Sequence, residues 1–205
     1  MPQGALCIRG ALVIKRDMDL CGAPYFFGYG SLVNRATHDY PRASRARVRG
    51  WARVWRGTSL RQVAYLSAIE APGTEIEGLI AAVPGGDWAA LDARERAYAR
   101  HPVAMVEHDH PEELTIMIYK VEPHHVSTAE NHPILLSYLD TVVQGFLHEF
   151  GEAGAARFFA TTRGWEAGIL DDRAEPIYPR AQPTTDRERA LVDAALRDLG
   201  VPRPE

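Results

Sequence analysis

A chain of 205 residues suffices for one domain, two at most, and for a buried core that needs neither disulfides nor metals in order to fold. Its 46% hydrophobic and 24% charged residues sit at globular averages, which excludes intrinsic disorder, collagen-like repeats and low-complexity scaffolds. A net charge of -4 gives no global attraction to phosphate polymers or anionic lipid, so binding of that kind would need a local patch.

Cys7 and Cys21 are too few for a secreted disulfide framework and have no second pair or nearby His for zinc. Arg9 and Lys15-Arg16 break the N-terminal apolar stretches, so neither a signal-peptide core nor a spanning helix of ~20 residues can be drawn there. The chain therefore reads as cytoplasmic, without a membrane partner. Residues 1–24 have no clear period and contain Met18, and are expected to form a poorly ordered leader. No repeat or long linker interrupts residues 25–200, which read as a single domain.

Tyr25 to Tyr29 form a short aromatic run ending in Gly-Tyr-Gly-Ser, a buried strand entering a tight loop. Residues 44–56 alternate, which predicts a strand with Ala46, Val48, Gly50, Ala52 and Val54 inward. Arg45, Arg47, Arg49, Trp51, Arg53 and Trp55 would face outward. Residues 63–70 and 75–83 look like two strands of a hairpin turning at Ala71-Pro72-Gly73-Thr74. Asp87 at an N-cap and the Ala-, Leu- and Arg-rich run after it predict a helix over 88–99, stopped by His101-Pro102. Strands follow near 103–109 and 114–121. Pro133 then opens a long apolar helix, a second helix follows Gly151, and a polar helix over 184–199 is capped by Thr184 or Thr185 and ended by Gly200. Strands with one embedded helix and a helical last third give an α+β class.

Two features carry chemistry. At about 100° per residue, Trp88, Leu91, Glu95 and Tyr98 share one helical arc while Arg94, Arg96 and Arg100 point elsewhere, which puts a carboxylate on an apolar stripe. Such a glutamate either reaches solvent at the stripe's edge, pairs with a neighbouring arginine, or is buried with a raised proton affinity. The second feature is Gly28-Tyr29-Gly30-Ser31-Leu32. Its glycines allow main-chain N–H groups to converge on an anion or a developing oxyanion, with Ser31 as an extra donor; a plain tight turn would look the same.

In order and spacing, the strand ending FGYGSL, then RVRGWARV, then APGTEIEGLIAAVPGGDWAALDARERAY resemble the γ-glutamylcyclotransferase-like family over roughly residues 25–121. The resemblance implies a small closed β-barrel of mixed strands with flanking helices; residues 25–121 would form its core, and residues 122–200, which do not match the compact members, a helical C-terminal extension. It implies cyclisation of a γ-glutamyl group to 5-oxoproline with release of an amine or amino acid. Glu95 would be the catalytic acid/base, with Tyr29, Gly30, Ser31 and Leu32 binding the small-molecule substrate, and neither metal nor organic cofactor required. The family's tyrosine six residues after the glutamate is here His101, and the nearest tyrosine, Tyr98, would stand in for it as a substrate contact. Val33-Asn34 follow the loop where the glutathione-degrading ChaC branch typically has Ile-Trp, so glutathione is not the expected substrate. The segment ILDDRAEPIYPRA would close the cavity, with Tyr178 and Arg180 as contacts.

Other readings compete. A family member could keep the fold as a small-molecule binder or with altered chemistry. Arg42, Arg45, Arg47, Arg49, Arg53, Arg56 and Arg61 with Trp51 and Trp55 could track nucleic acid, although a solvated strand face is the plainer reading. His108, Asp109, His110, Glu112, Glu113, His124 and His125 invite a metal, but no spacing sets a third ligand. The stripe Leu135, Leu139, Val142, Phe146 suits either core or a dimer seam, which leaves a homodimer open.

Overall fold

The two alternating segments in the first half of the chain form the longest strands of the molecule. The computed structural model describes residues 20, 22–127 and 132–202. Both cysteines and nearly all of the expected leader lie outside the described residues. Strand β1 (Tyr25–Gly28) is followed by β2 (Ser44–Thr58) and β3 (Arg61–Ala82), which pair antiparallel. Then come a short helix α1 (Ala89–Arg94) and strands β4 (Tyr98–Pro102), β5 (Val106–His108) and β6 (Ile116–Val121). The last third holds β7 (Ile134–Leu135), α2 (Leu136–Thr161), β8 (Thr162–Arg163), β9 (Ile169–Leu170) and α3 (Asp186–Asp198).

The main sheet runs β4-β6-β1-β3-β2-β5, with β8 added on β2, and β7 pairs with β9. This is a mixed α+β fold, but the expected closed barrel is not formed. Among the described residues no pairing joins β4 to the far side, so the sheet is open. The strand beside each edge is already paired on both of its own sides, and neither β4 nor the three-residue β5 meets a further partner.

Three local expectations are corrected by tertiary pairing. The segments 63–70 and 75–83 are not a hairpin: they are collinear halves of β3, both in register with β2, through Trp51↔Glu70 and Arg49↔Glu75. Residues 71–74 bulge out between the halves, with Gly73 at φ 81 and the Thr74 hydroxyl donating to Ala71 O at 2.6 Å. The turn chemistry is real, but both arms gain more by pairing with β2 than with each other.

On β2 the register shifts between Arg49 and Trp51, where Gly50 takes φ 81, and a one-residue shift exchanges the two faces of a strand. Trp51, Arg53 and Trp55 are therefore buried instead of outward. The predicted 88–99 helix stops at Arg94, because Tyr98–Pro102 take their hydrogen bonds from β6, in the register Tyr98↔Val121 to Pro102↔Met117.

The C-terminal helices follow the sequence closely. Helix α2 breaks at Gly151 (φ 68, ψ -172), where a second helix was expected to begin. Thr185 caps α3 in a reciprocal box with Glu188. Leu135, Leu139, Val142 and Phe146 are buried in the chain's own core against the sheet, so that stripe is occupied within the protomer. No described helix is long and apolar enough to cross a membrane.

Candidate active site

The site begins where β1 ends. Its loop needs glycine for close approach: a Cβ on Gly28 would lie 2.5 Å from Leu32 Cβ, and one on Gly30 2.7 Å from the Tyr138 hydroxyl. Ser31–Val33 then make one turn of 3-10 helix, whose first amides, those of Ser31 and Leu32, have no partner inside the turn. The loop is clamped from below by Asn34, which donates to Thr141 O and Gln144 Oε1 on α2, both at 2.9 Å. Gly145 makes that contact possible, since a Cβ there would meet Asn34 N at 2.6 Å.

From the core side, Arg53 holds the same loop. The guanidinium donates to Tyr29 O at 3.1 Å, to Thr161 Oγ1 at 3.2 Å and to Glu77 O, and lies over the rings of Phe146 and Phe158. The residue is only 1% exposed. Burial pulls its proton affinity down to about 9, still leaving it charged at neutral pH.

From the cavity side the clamp is Arg94, the last residue of α1. It donates to Thr37 O at 2.9 Å, to Ser31 Oγ at 3.1 Å and to Thr37 Oγ1 at 3.2 Å. Its Nε lies 3.2 Å from Glu95 Oε1, and the two side chains keep only 8% and 16% of their surface accessible. One guanidinium therefore touches both the serine of the loop and the glutamate, which puts the two within reach of a single small ligand. Helical spacing pointed Arg94 away. Because Glu95 leaves helical geometry (φ -101, ψ 36), the two neighbours converge instead.

Burial raises the Glu95 carboxyl above its ordinary value of 4.5, and the charges of Arg94 and Arg180 pull it partly back. Tyr98, brought alongside by a turn (Tyr98 N to Glu95 O, 2.8 Å), donates its hydroxyl to Leu66 O at 3.0 Å. The Tyr29 hydroxyl donates to Tyr119 O at 2.6 Å. Tyr29, Gly30, Ser31, Leu32, Glu95, Tyr98 and Tyr138 all border one narrow crevice. Leu32 contributes mainly to packing, in a small apolar cluster with Phe26, Leu91 and Tyr119.

The crevice adjoins a cavity of about 600 Å³ that shares Ser31, Glu95, Tyr98 and Tyr138 with it. Tyr178, Pro179 and Arg180 form part of its wall. That wall is fastened by Asp172, which accepts from Ser137 N at 2.7 Å, Ser137 Oγ at 2.5 Å and Ile177 N at 2.9 Å. Tyr178 packs edge-on against Tyr138 at 4.9 Å.

Arg94, Tyr138, Asn34 and Arg53 were missed by sequence reasoning. Asn34 alone had a readable signal, as a capping residue before a short helical turn: it accepts from Ala36 N.

The competing patches are tied up elsewhere. Arg42, Arg45, Arg47 and Arg49 pair with Glu112, Glu149, Glu75 and Glu107 respectively, and the two tryptophans are buried. His110 is engaged by Ser44 and Arg42. Glu122, His124 and His125 offer ligand atoms within 4.8 Å of one another on a solvent-facing turn.

The sequence model described as gamma-glutamyl cyclotransferase, AIG2-like, matches residues 26–152. No curated protein matches the chain. Among solved structures, YkqA from Bacillus subtilis is similar at TM-score 0.52 and 20% identity, over 69% of this chain and 56% of that one. The chain thus spans little more than half the length of YkqA. The Homo sapiens protein loc79017 is similar at TM-score 0.54 and 16% identity, over 84% of this chain and 99% of that one. A protein described as gamma-glutamyl cyclotransferase gives 0.53 and 15% over the same shares, 84% and 99%. At these identities the structures bear on the fold, and the match over residues 26–152 bears on descent: the chain belongs to the gamma-glutamyl cyclotransferase, AIG2-like family.

Proposed function

We propose that the protein cyclises a γ-glutamyl group to 5-oxoproline and releases an amine, with Glu95 as the general base and acid. The observation that carries this reading is the shielded Glu95 carboxylate facing the cavity that the Ser31 loop also borders, the two joined by one guanidinium. The α-ammonium of the substrate cannot attack until it loses a proton, and a carboxylate with raised proton affinity accepts one more readily than an exposed carboxylate would. The freed nitrogen attacks the γ-carbonyl carbon and forms the ring's C–N bond. The bond to the leaving nitrogen then breaks, and that nitrogen takes the proton from Glu95. The ring nitrogen sheds its second proton as the lactam forms, and the released amine carries that proton away as an ammonium, so atoms and charge balance without a further reactant.

Much of the barrier is entropic, since the glutamyl chain must be held bent, and orientation of this kind is worth several kcal/mol. The amides of Ser31 and Leu32 and the Ser31 hydroxyl would hold the polar end of that chain. Gly30 would let the backbone approach closely, and the rings of Tyr29 and Tyr98 would wall the crevice. Raised proton affinity keeps the Tyr29, Tyr98 and Tyr138 phenols protonated, so each remains a donor.

The test is incubation with γ-glutamyl amino acids, γ-glutamyl amines and glutathione, with 5-oxoproline as the readout. Glu95→Gln should lower product formation by about 10²–10⁴-fold while leaving the circular dichroism spectrum unchanged. A Glu95→Gln variant that turns over normally removes Glu95 from the reaction, and a wild type that cyclises none of the panel removes the reaction itself.

A further inference from the structure

On the cyclotransferase reading the γ-glutamyl group would sit at the crevice, which leaves the adjoining cavity of about 600 Å³, a size that suits a ligand much larger than one amino acid. The charge of that cavity is distinctive. Among the described residues Arg61, Arg94, Arg96 and Arg180 line it against the single carboxylate of Glu95, in a chain whose net charge is -4. On or near the sheet, by contrast, Arg42, Arg45, Arg47 and Arg49 each meet a glutamate. Arg94 is engaged by Ser31, Thr37 and Glu95. Among the described residues Arg61, Arg96 and Arg180 have no ion pair with a carboxylate.

Like charges gathered around one hollow raise its potential, and an anion entering it relieves that cost. The glutamyl α-carboxylate, with two oxygens, engages two cations at most. At least two of the four arginines therefore remain for the other half of the substrate. Between them lie flat and apolar surfaces, Tyr65, Tyr178, Leu60 and Leu135, which suit a carbon-rich body with acidic ends.

Resting on the cyclotransferase reading, we propose that the leaving moiety is an acidic, peptide-sized amine with at least two carboxylates, received by Arg61, Arg96 and Arg180 around an aromatic floor. Charge selectivity is thus exercised outside the crevice. Glu95 sees only the γ-glutamyl end, whereas the cavity reads what is attached to it.

Three probes test this: γ-glutamyl-tyrosyl-glutamate, its diamide of the same size (γ-glutamyl-tyrosyl-glutamine amide), and γ-glutamyl-alanine. The dianionic peptide should show kcat/KM about tenfold above the diamide at low salt, the advantage shrinking as salt rises. It should also exceed γ-glutamyl-alanine. In the double variant Arg61→Glu/Arg180→Glu the ratio of dianionic to diamide turnover should fall below one. Reading a ratio within each variant cancels any general loss of folding or competence. Equal turnover of the dianionic peptide and its diamide, a preference for γ-glutamyl-alanine, or a ratio unmoved by the double variant overturns the proposal. If no probe is cyclised, the cyclotransferase reading fails, and the cavity is then judged by calorimetric titration with tyrosyl-glutamate and its diamide. Salt-sensitive preference for the acid sustains the anionic cavity, and equal or absent binding refutes it.

Discussion

Two arginines clamp the Tyr29–Ser31 loop from opposite sides. On the core side Arg53 directs its donors to the carbonyls of Tyr29 and Glu77 and to a threonine hydroxyl, none of which changes charge at physiological pH. On the cavity side Arg94 makes similar bonds to Ser31 and Thr37, but its Nε also reaches Glu95, whose proton affinity burial has raised. The first clamp is a fixed support. The second couples the same loop to a group able to take and give a proton, and the contrast separates what holds the site from what would work in it.

The contrast can be broken at either end. Glu95→Gln should cost about 10²–10⁴-fold in turnover, the range for a lost acid/base, with the fold retained. Arg53→Ala should act mainly on stability. It strands the carbonyls of Tyr29 and Glu77 and empties the space over the rings of Phe146 and Phe158, and urea unfolding should show a loss of about 3–5 kcal/mol. A selective loss of turnover in Arg53→Ala at unchanged stability would merge the two clamps into one function.

A milder perturbation comes through the Asn34 anchor. Gly145→Ala places a methyl 2.6 Å from Asn34 N, a backbone atom that cannot swing away, so destabilisation of about 1–3 kcal/mol and a raised KM are expected from thermal melts and kinetics. Arg94→Lys keeps the charge but loses the fork that spans Ser31 and Glu95, and about tenfold in kcat/KM is expected, with little change in Tm.

The smallest effect is one of pH. Folded Glu95 holds its proton to higher pH than the unfolded chain does, so the stability that this difference contributes is present below 4.5 and is lost as pH rises through the raised folded value. The stability gap between Glu95→Gln and the wild type should therefore widen in favour of Gln as pH rises across that window. A gap that stays flat would mean that the carboxyl is not perturbed. Turnover should move the opposite way, falling as pH drops and Glu95 becomes protonated.

Local chemistry in the chain was legible where a single element decides its own conformation. Asp87 bonds Ala89 N, Thr185 and Glu188 form a capping box, and Gly151 breaks a helix, all as their types suggest. The glycine loop and Glu95 stood out because a carboxylate on an apolar stripe and glycines after a buried strand are odd within their own windows. Arg94 did not stand out, since its role depends on the helix ending one residue earlier than Glu95, and β6 decides that from across the sheet.

By itself the sequence determined the α+β class, most strands, the helical last third, and the two features that mark a γ-glutamyl cyclotransferase relative. These depend on periodicity, caps and turn residues, which act over a few neighbours. Only the tertiary structure decided that the sheet stays open, that β3 is one strand instead of two, that Gly50 turns Trp51, Arg53 and Trp55 inward, and that Arg94 joins Ser31 to Glu95. Each of those outcomes is a competition between local preference and hydrogen bonds or burial offered by residues far away in the chain, and the distant partner prevailed.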